Sequence, residues 1–313
     1  LWRTEAPLAV GCVLTLITML LVPEWFIEPA ANPVRSAFMF SLIFVSILWS
    51  AFAVVRHADC LAILLGEPLG TIILTISVIG IEVTMISMVM LTGEPDPTLG
   101  RDTMFSVLML VLNGMVGITL LVGGLHHREP MFNLRGASAY MSVIIPLAML
   151  GLILPRYAKS TSDASASPLL ATFLVVTCIC LYGVFLGVQT MRHRSFFTQP
   201  SNQDSDASHL HDPIPSMRTV PFHALLLLAT MIPIVLLAKK LAILMEVGID
   251  QMNAPPQLAG LAVAILVLTP EGVSALRAAQ SNQLQRGVNI CLGSALATIG
   301  MTIPAVLLIG SLA

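Results

Sequence analysis

Nine apolar runs divide this chain, and their length decides its fold class before any residue is weighed for chemistry. They cover about residues 6–22, 34–55, 70–92, 103–125, 136–155, 168–190, 219–247, 257–279 and 287–311. A helix needs about 20 mainly apolar residues to cross the hydrocarbon core of a bilayer, and each run approaches or meets that length. Turn-forming residues lie between the runs: Pro23 and Pro33, Gly66-Glu67-Pro68, Gly93 to Pro97, and Pro255-Pro256. Only 10% of the 313 residues are charged, whereas soluble domains carry about 25%. The mean hydropathy of +0.90 agrees. The expectation is an all-α polytopic membrane protein whose surroundings are lipid.

Several function classes drop out. A net charge of −2 implies no nucleic-acid partner. The five cysteines are odd in number and lie mostly inside apolar runs, with Cys178 and Cys180 on different helix faces, so no disulfide or metal framework is expected. The chain holds no HExxH motif, nucleotide-binding loop or nucleophile elbow, so no catalytic residue and no cofactor is assigned. The first run passes into Pro23-Glu24-Trp25 without a small-residue cleavage site, unlike a signal peptide.

Two runs carry a carboxylate near their centre. Glu82 interrupts the stretch from Thr71 to Leu91, and Glu271 the stretch from Leu258 to Ala279. An ionisable group at mid-membrane costs roughly 2.5–3.5 kcal/mol on insertion scales, so such groups usually mark an ion pathway. Burial also disfavours the charged form of a carboxyl, which makes proton binding near neutral pH feasible. The pair points to cation/proton exchange, with inorganic cations (Ca²⁺, Na⁺ or K⁺) and H⁺ as cargo. A membrane-embedded enzyme using the glutamates as acid and base would need a nucleophile or metal cluster that is not visible. A non-transporting scaffold would gain nothing from the charges.

The glutamates also anchor an internal repeat. Leu61-Ala62-Ile63-Leu64-Leu65 precedes Glu82 and Leu241-Ala242-Ile243-Leu244-Met245 precedes Glu271; after them come Arg101 and Gly114, and Arg286 and Gly300. Glu82 lies on the third run and Glu271 on the eighth. An odd offset makes the two helices cross in opposite directions, as in inverted-repeat transporters that bind near the midplane. The expected layout is an N-terminal peripheral helix (1–33), a first five-helix repeat (34–191), a polar linker (192–217) and a second, inverted repeat (218–313). On this count the second repeat is short of two helices, so further helices are expected beyond Ala313, with the glutamates close together. With the N-terminus inside, the inner side collects nine of the 15 Lys and Arg residues. That bias sets the N-terminus and linker in the cytoplasm.

Further residues are candidates for a secondary cation pathway. Pro270 removes a backbone donor and frees the carbonyl of Leu266, an oxygen of the kind hard cations require. Thr75 shares the face of Glu82, and Ser274 that of Glu271. Ser106, Asn282, Gln283 and Asn289 lie around the starts of the following helices. The amides could supply neutral oxygens, or serve as caps and inter-helix hydrogen bonds. Asn113 reads as helix–helix glue, His126-His127 as a solvated loop, and Lys239 and Lys240 as snorkelling to the interface.

Arg56-His57-Ala58-Asp59, Gly66-Glu67-Pro68-Leu69-Gly70-Thr71, Ile81-Glu82-Val83, Leu91-Thr92-Gly93-Glu94, Arg101 to Ser106, Leu112-Asn113-Gly114, Leu268-Thr269-Pro270-Glu271-Gly272, Asn282 to Arg286 and Leu292-Gly293-Ser294 together resemble the calcium/cation antiporter superfamily. Within it, the chain is similar to the bacterial sodium–potassium/proton and calcium/proton antiporters. The resemblance implies a peripheral helix and two inverted five-helix repeats, with the cation held between the helices bearing Glu82 and Glu271. It implies a bacterial inner (plasma) membrane location. Calcium/proton exchangers of the superfamily usually carry Gly-Asn ahead of the glutamate; Gly80-Ile81 and Thr269-Pro270 stand here, which leaves monovalent transport open. The oligomeric state is not set by any of these features.

Overall fold

A computed structural model describes residues 5–26, 29–65, 69–90, 99–127, 130–157, 168–192, 194–197, 218–255, 257–305 and 307. The described residues hold helices and no strand. In order these are α1 (Ala6–Leu16), α2 (Pro33–Leu65), α3 (Leu69–Met90), α4 (Leu99–Met109), α5 (Val116–His127), α6 (Leu134–Ala148), α7 (Leu154–Tyr157), α8 (Pro168–Gly187), α9 (Val220–Gln251), α10 (Gln257–Gln280) and α11 (Leu284–Ala297). Wider π turns extend or join them at Ile17–Leu21, Leu110–Met115, Met149–Ile153, Val188–Arg192 and Thr298–Thr302. Among the described residues, seven helices have the length and apolar character to cross a membrane, and two shorter apolar helices accompany them.

Within the described residues, each of the nine apolar runs overlaps a helix, in several cases one extended by or joined through a π turn. The main difference is at the end of α2. The apolar run stops near residue 55, but the helix continues to Leu65 and carries Arg56, His57 and Asp59 within it. Its polar end is kept helical by partners: Arg56 pairs with Glu5 at 3.1 Å, and His57 is buried against α9.

The chain forms two compact units, and both draw on both halves of the sequence. The first comprises Leu1–Ser106 and Arg218–Pro270, the second Val107–Met217 and Glu271–Ala313. In the first, α2 packs against α9, α3 and α1, and α3 also packs on α9. The inward stripe of α2 runs through Met39, Ile43, Ile47, Ala51, Val54 and Ala58, the spacing of one helix face. Outward from α9 point Leu225, Leu228, Ile232 and Leu236, all exposed. Helices apolar on both faces suit lipid, not water. At Gly11 a Cβ would lie 3.2 Å from Pro233 Cβ and 3.3 Å from Ser50 Oγ, so α1 sits close on α9 and α2 because a small residue lets it.

In the second unit α11 is the central element, packing on α5, α6 and the π turn Leu110–Met115. Gly287 makes that position possible. A Cβ there would come within 2.8 Å of Thr119 Cγ2 and 2.9 Å of the Ala275 carbonyl oxygen. Gln285 and Asn289 on α11 fasten flanking segments: Gln285 accepts from the Asn133 backbone N–H at 2.5 Å, and Asn289 donates to the Phe197 carbonyl at 2.6 Å. Behind them Tyr140, Phe185 and Phe197 form an aromatic cluster with centroids 4.8–5.7 Å apart.

Candidate functional site

Glu82 lies within α3, with Ile81, Met85 and Ile86 buried around it on the same helix. Its own exposure is 2%, so the carboxyl is out of water in the first unit. Helix α3 offers no local reason for a carboxylate: its other residues are apolar or uncharged, and it packs on α2 and α9. The side chain of Thr75, expected on the same face, lies outside the described residues.

Glu271 belongs to the second unit and follows Pro270 inside α10. Its Oε2 accepts a hydrogen bond from the hydroxyl of Ser294 on α11. The short turn between α10 and α11 makes the two helices antiparallel neighbours. The contact of Gly287 with Ala275 sets the register that brings Ser294 to Glu271. On the other side of α10, the position of a Cβ on Gly272 is 3.7 Å from Met115 Cε, so the π turn Leu110–Met115 packs beside the glutamate's helix. Such turns recur at functional sites.

The other expected residues fall into two groups. Ser274 lies one turn beyond Glu271 on α10, and Leu266 is fully buried on the preceding turn. The remaining four have local partners. Ser106 donates to the Asp102 carbonyl of its own helix at 2.9 Å. Asn282 takes a left-handed backbone, φ 58°, in the turn that ends α10, a conformation Asn tolerates better than most residues. Gln283 precedes α11 and accepts from Arg286 at 3.2 Å. Asn289 accepts from Gln285 at 2.9 Å while donating to Phe197.

Three lesser expectations change. Asn113 is exposed and bonds the Met109 carbonyl of its own helix turn, so it is not glue within its unit. His126 and His127 form the end of α5, not a loop, and His127 bonds the Gln280 carbonyl at 2.7 Å. Lys240 places its ammonium 4.5 Å from the centre of the Phe26 ring, a cation–π contact where snorkelling was expected. Ser294 had no assigned role in the sequence; the signal was its place in Leu292-Gly293-Ser294, one of the tracts carrying the resemblance.

Chemically, each glutamate is a titratable oxygen pair in an apolar helix, and Ser294 adds a hydroxyl beside Glu271. Among the described residues no group of three or more His, Cys, Asp or Glu side chains is arranged to hold a metal ion. A passing cation would be cargo and would draw on carbonyl and hydroxyl oxygens as well as carboxylates.

A family model described as "Sodium/calcium exchanger protein" matches residues 35–191 and 222–313. The sodium-potassium/proton antiporter ChaA of Escherichia coli (strain K12) is 42% identical over 268 residues, covering 86% of this chain and 72% of that protein. A crystal structure of the Ca²⁺/H⁺ antiporter protein YfkE superposes with a TM-score of 0.70 at 20% identity, covering 99% of this chain and 82% of the other. The H⁺/Ca²⁺ exchanger CAX superposes with a TM-score of 0.63 at 12% identity, over 99% and 75%. The likeness to these two solved structures is one of fold.

Proposed function

The chain belongs to the sodium/calcium exchanger protein family and is a multi-pass membrane transporter, not an enzyme; from that premise we propose that it is a cation/proton antiporter working through Glu82 and Glu271. The observation that carries the reading is a carboxyl in each unit on an otherwise apolar helix, Glu82 at 2% exposure and Glu271 held by Ser294. In one state of the cycle both carboxylates are ionised and carry the cation. In the other they hold protons, and alternating access exposes them to the two sides in turn. Cation and proton compete for the same oxygens, so raising the proton concentration on one side displaces the cation there.

Electroneutrality limits the coupling. Two carboxylates match one Ca²⁺ against two protons, or one monovalent cation against each proton. The relative at 42% identity is named for Na⁺ and K⁺ exchange, which favours monovalent cargo, with Ca²⁺ retained as a candidate. We count the Leu266 carbonyl and the Ser274 hydroxyl, which precede and follow Glu271 in the sequence of α10 by a turn or so, as further oxygens on which a cation could draw. We place the protein in the bacterial inner membrane with the N-terminus in the cytoplasm, from the bias of Lys and Arg. The chain then exports cations against inward proton flow. The test is flux in proteoliposomes under an imposed pH gradient, with Na⁺, K⁺ and Ca²⁺ supplied separately. Dissipation of the gradient by at least one of them is expected, and dissipation by none contradicts the proposal.

A further inference from the structure

A cluster of ionisable side chains lies in the first unit, on α2, at the start of α9 and just before α1. Glu5, just before α1, pairs with Arg56 on α2: the Arg56 guanidinium is 3.1 Å from Oε1 and 3.2 Å from Oε2. His57 Nε2 is 3.1 Å from Glu5 Oε2 and also 3.1 Å from Arg56. His57 Nδ1 faces His223 Nδ1 on α9 at 3.0 Å, and the Arg218 backbone N–H points to His223 Nε2 at 3.3 Å. Both imidazoles are buried, at 2% and 5% exposure.

The proton positions follow from the end of this series that has no choice. A backbone N–H only donates, so His223 Nε2 is an acceptor and carries no proton. A neutral His223 then has its proton on Nδ1 and donates to His57 Nδ1. That leaves His57 with its proton on Nε2, donating to the Glu5 carboxylate. Four groups form one directed series, Arg218 to His223 to His57 to Glu5, with both rings neutral, while Arg56, which can only donate, directs its N–H groups to the Glu5 oxygens and not to the protonated His57 Nε2 beside it.

An added proton has nowhere to go without breaking it. On His57 Nδ1 it opposes the N–H of His223. On His223 Nε2 it opposes the N–H of Arg218. Moving the His223 proton from Nδ1 to Nε2 restores the first contact only by losing the second. We propose that His57 and His223 are a proton-sensitive latch that ties the start of α9 to α2 and to Glu5, and that releases when the pair takes up one proton. Imidazole ordinarily titrates near pH 6.5, within the range a membrane protein meets.

The charged surroundings do not replace the latch. From α2 the pair has Arg56 beside it, with Asp59 two residues beyond His57 along the same helix, and from just before α1 it faces Glu5. From the segment just before α9 comes Arg218, whose guanidinium sits 4.7 Å from the Phe222 ring centre. Helix α3, packed on α2 and α9, carries Glu82 as its ionisable residue among the described side chains. Arg56 already engages both oxygens of Glu5, so the added charge meets a carboxylate shared with a guanidinium.

Amide hydrogen exchange on the full chain in lipid nanodiscs tests this, read between pH 8 and pH 5.5 and corrected for the intrinsic pH dependence of exchange. The Arg218 amide is expected to lose protection severalfold, at most about tenfold for one hydrogen bond. The Arg135 amide, capped by Asn133 Oδ1 at 3.0 Å with no histidine involved, should keep its protection. In the double variant His57→Gln/His223→Gln, each amide keeps both donating and accepting capacity but does not titrate, so Arg218 protection should stay constant with pH. Unchanged protection in the wild type overturns the latch whether or not the double variant folds. So does an equal loss at Arg135, or a full loss in the double variant.

Discussion

The hydroxyl of Ser294 on α11 donates to Glu271 Oε2 on α10. A donor of this kind favours the ionised carboxylate, the form that receives a cation, and it is lost whenever Ser294 turns elsewhere. The contact depends on helix register, and the register depends on Gly287.

Ser294→Ala removes the donor and leaves the helix intact. The ionised form of Glu271 is then less favoured, and the proton competes better against the cation. A hydrogen bond to a charged group is worth about 1.5–3 kcal/mol, so at pH 7 the cation concentration for half-maximal flux should rise about tenfold or more. The rise should shrink as the pH is raised and protons become scarce. Flux titrations at two pH values check both the size and the sign.

Gly287→Ala should destabilise the second unit, because the new Cβ meets Thr119 Cγ2 at 2.8 Å and the Ala275 carbonyl at 2.9 Å. Overpacking of this kind costs typically about 1–3 kcal/mol. Gly117→Ala is the control: nothing lies within 4 Å of its Cβ position, and Ala is the better helix former by about 1 kcal/mol. Thermal unfolding in detergent should show a lower midpoint for the first variant and an equal or higher one for the second.

Orientation has its own test. With the five native cysteines replaced, a single cysteine at Ser205, in the polar linker and outside the described residues, should resist an impermeant thiol reagent added to intact cells. It should react once the membrane is opened. Efficient labelling from outside would reverse the proposed orientation.

The helices were legible from the sequence because length and apolarity alone decide them. Among the described residues, the runs predicted by hydropathy fall on helices, and the clearest difference in extent is at α2. There the apolar run ends near residue 55, and nothing local shows that Arg56 and His57 are satisfied by Glu5 and by α9, partners 51 and 166 positions away. Glu82 and Glu271 stood out as charges that an apolar helix does not need. Ser294 did not, since a serine in a membrane helix is common and only the register set at Gly287 makes it a partner. The amides of Gln283 and Asn289 read equally well as ligands or as ties, and the choice rests on contacts with Arg286 and Phe197 that no spacing rule contains. His57 entered only as part of the tract Arg56-His57-Ala58-Asp59 and His223 not at all, since nothing in the sequence pairs them until the fold brings the two rings together.

The central claim is that Glu82 and Glu271 are the groups that exchange cation for proton. Proteoliposome flux of Glu82→Gln and Glu271→Gln, each shown folded by an unfolding midpoint near that of the wild type, tests it most directly. Glutamine keeps the shape and removes the titrating charge, so the account predicts that each variant alone abolishes cation-dependent dissipation of the pH gradient. Wild-type flux in either variant would contradict it.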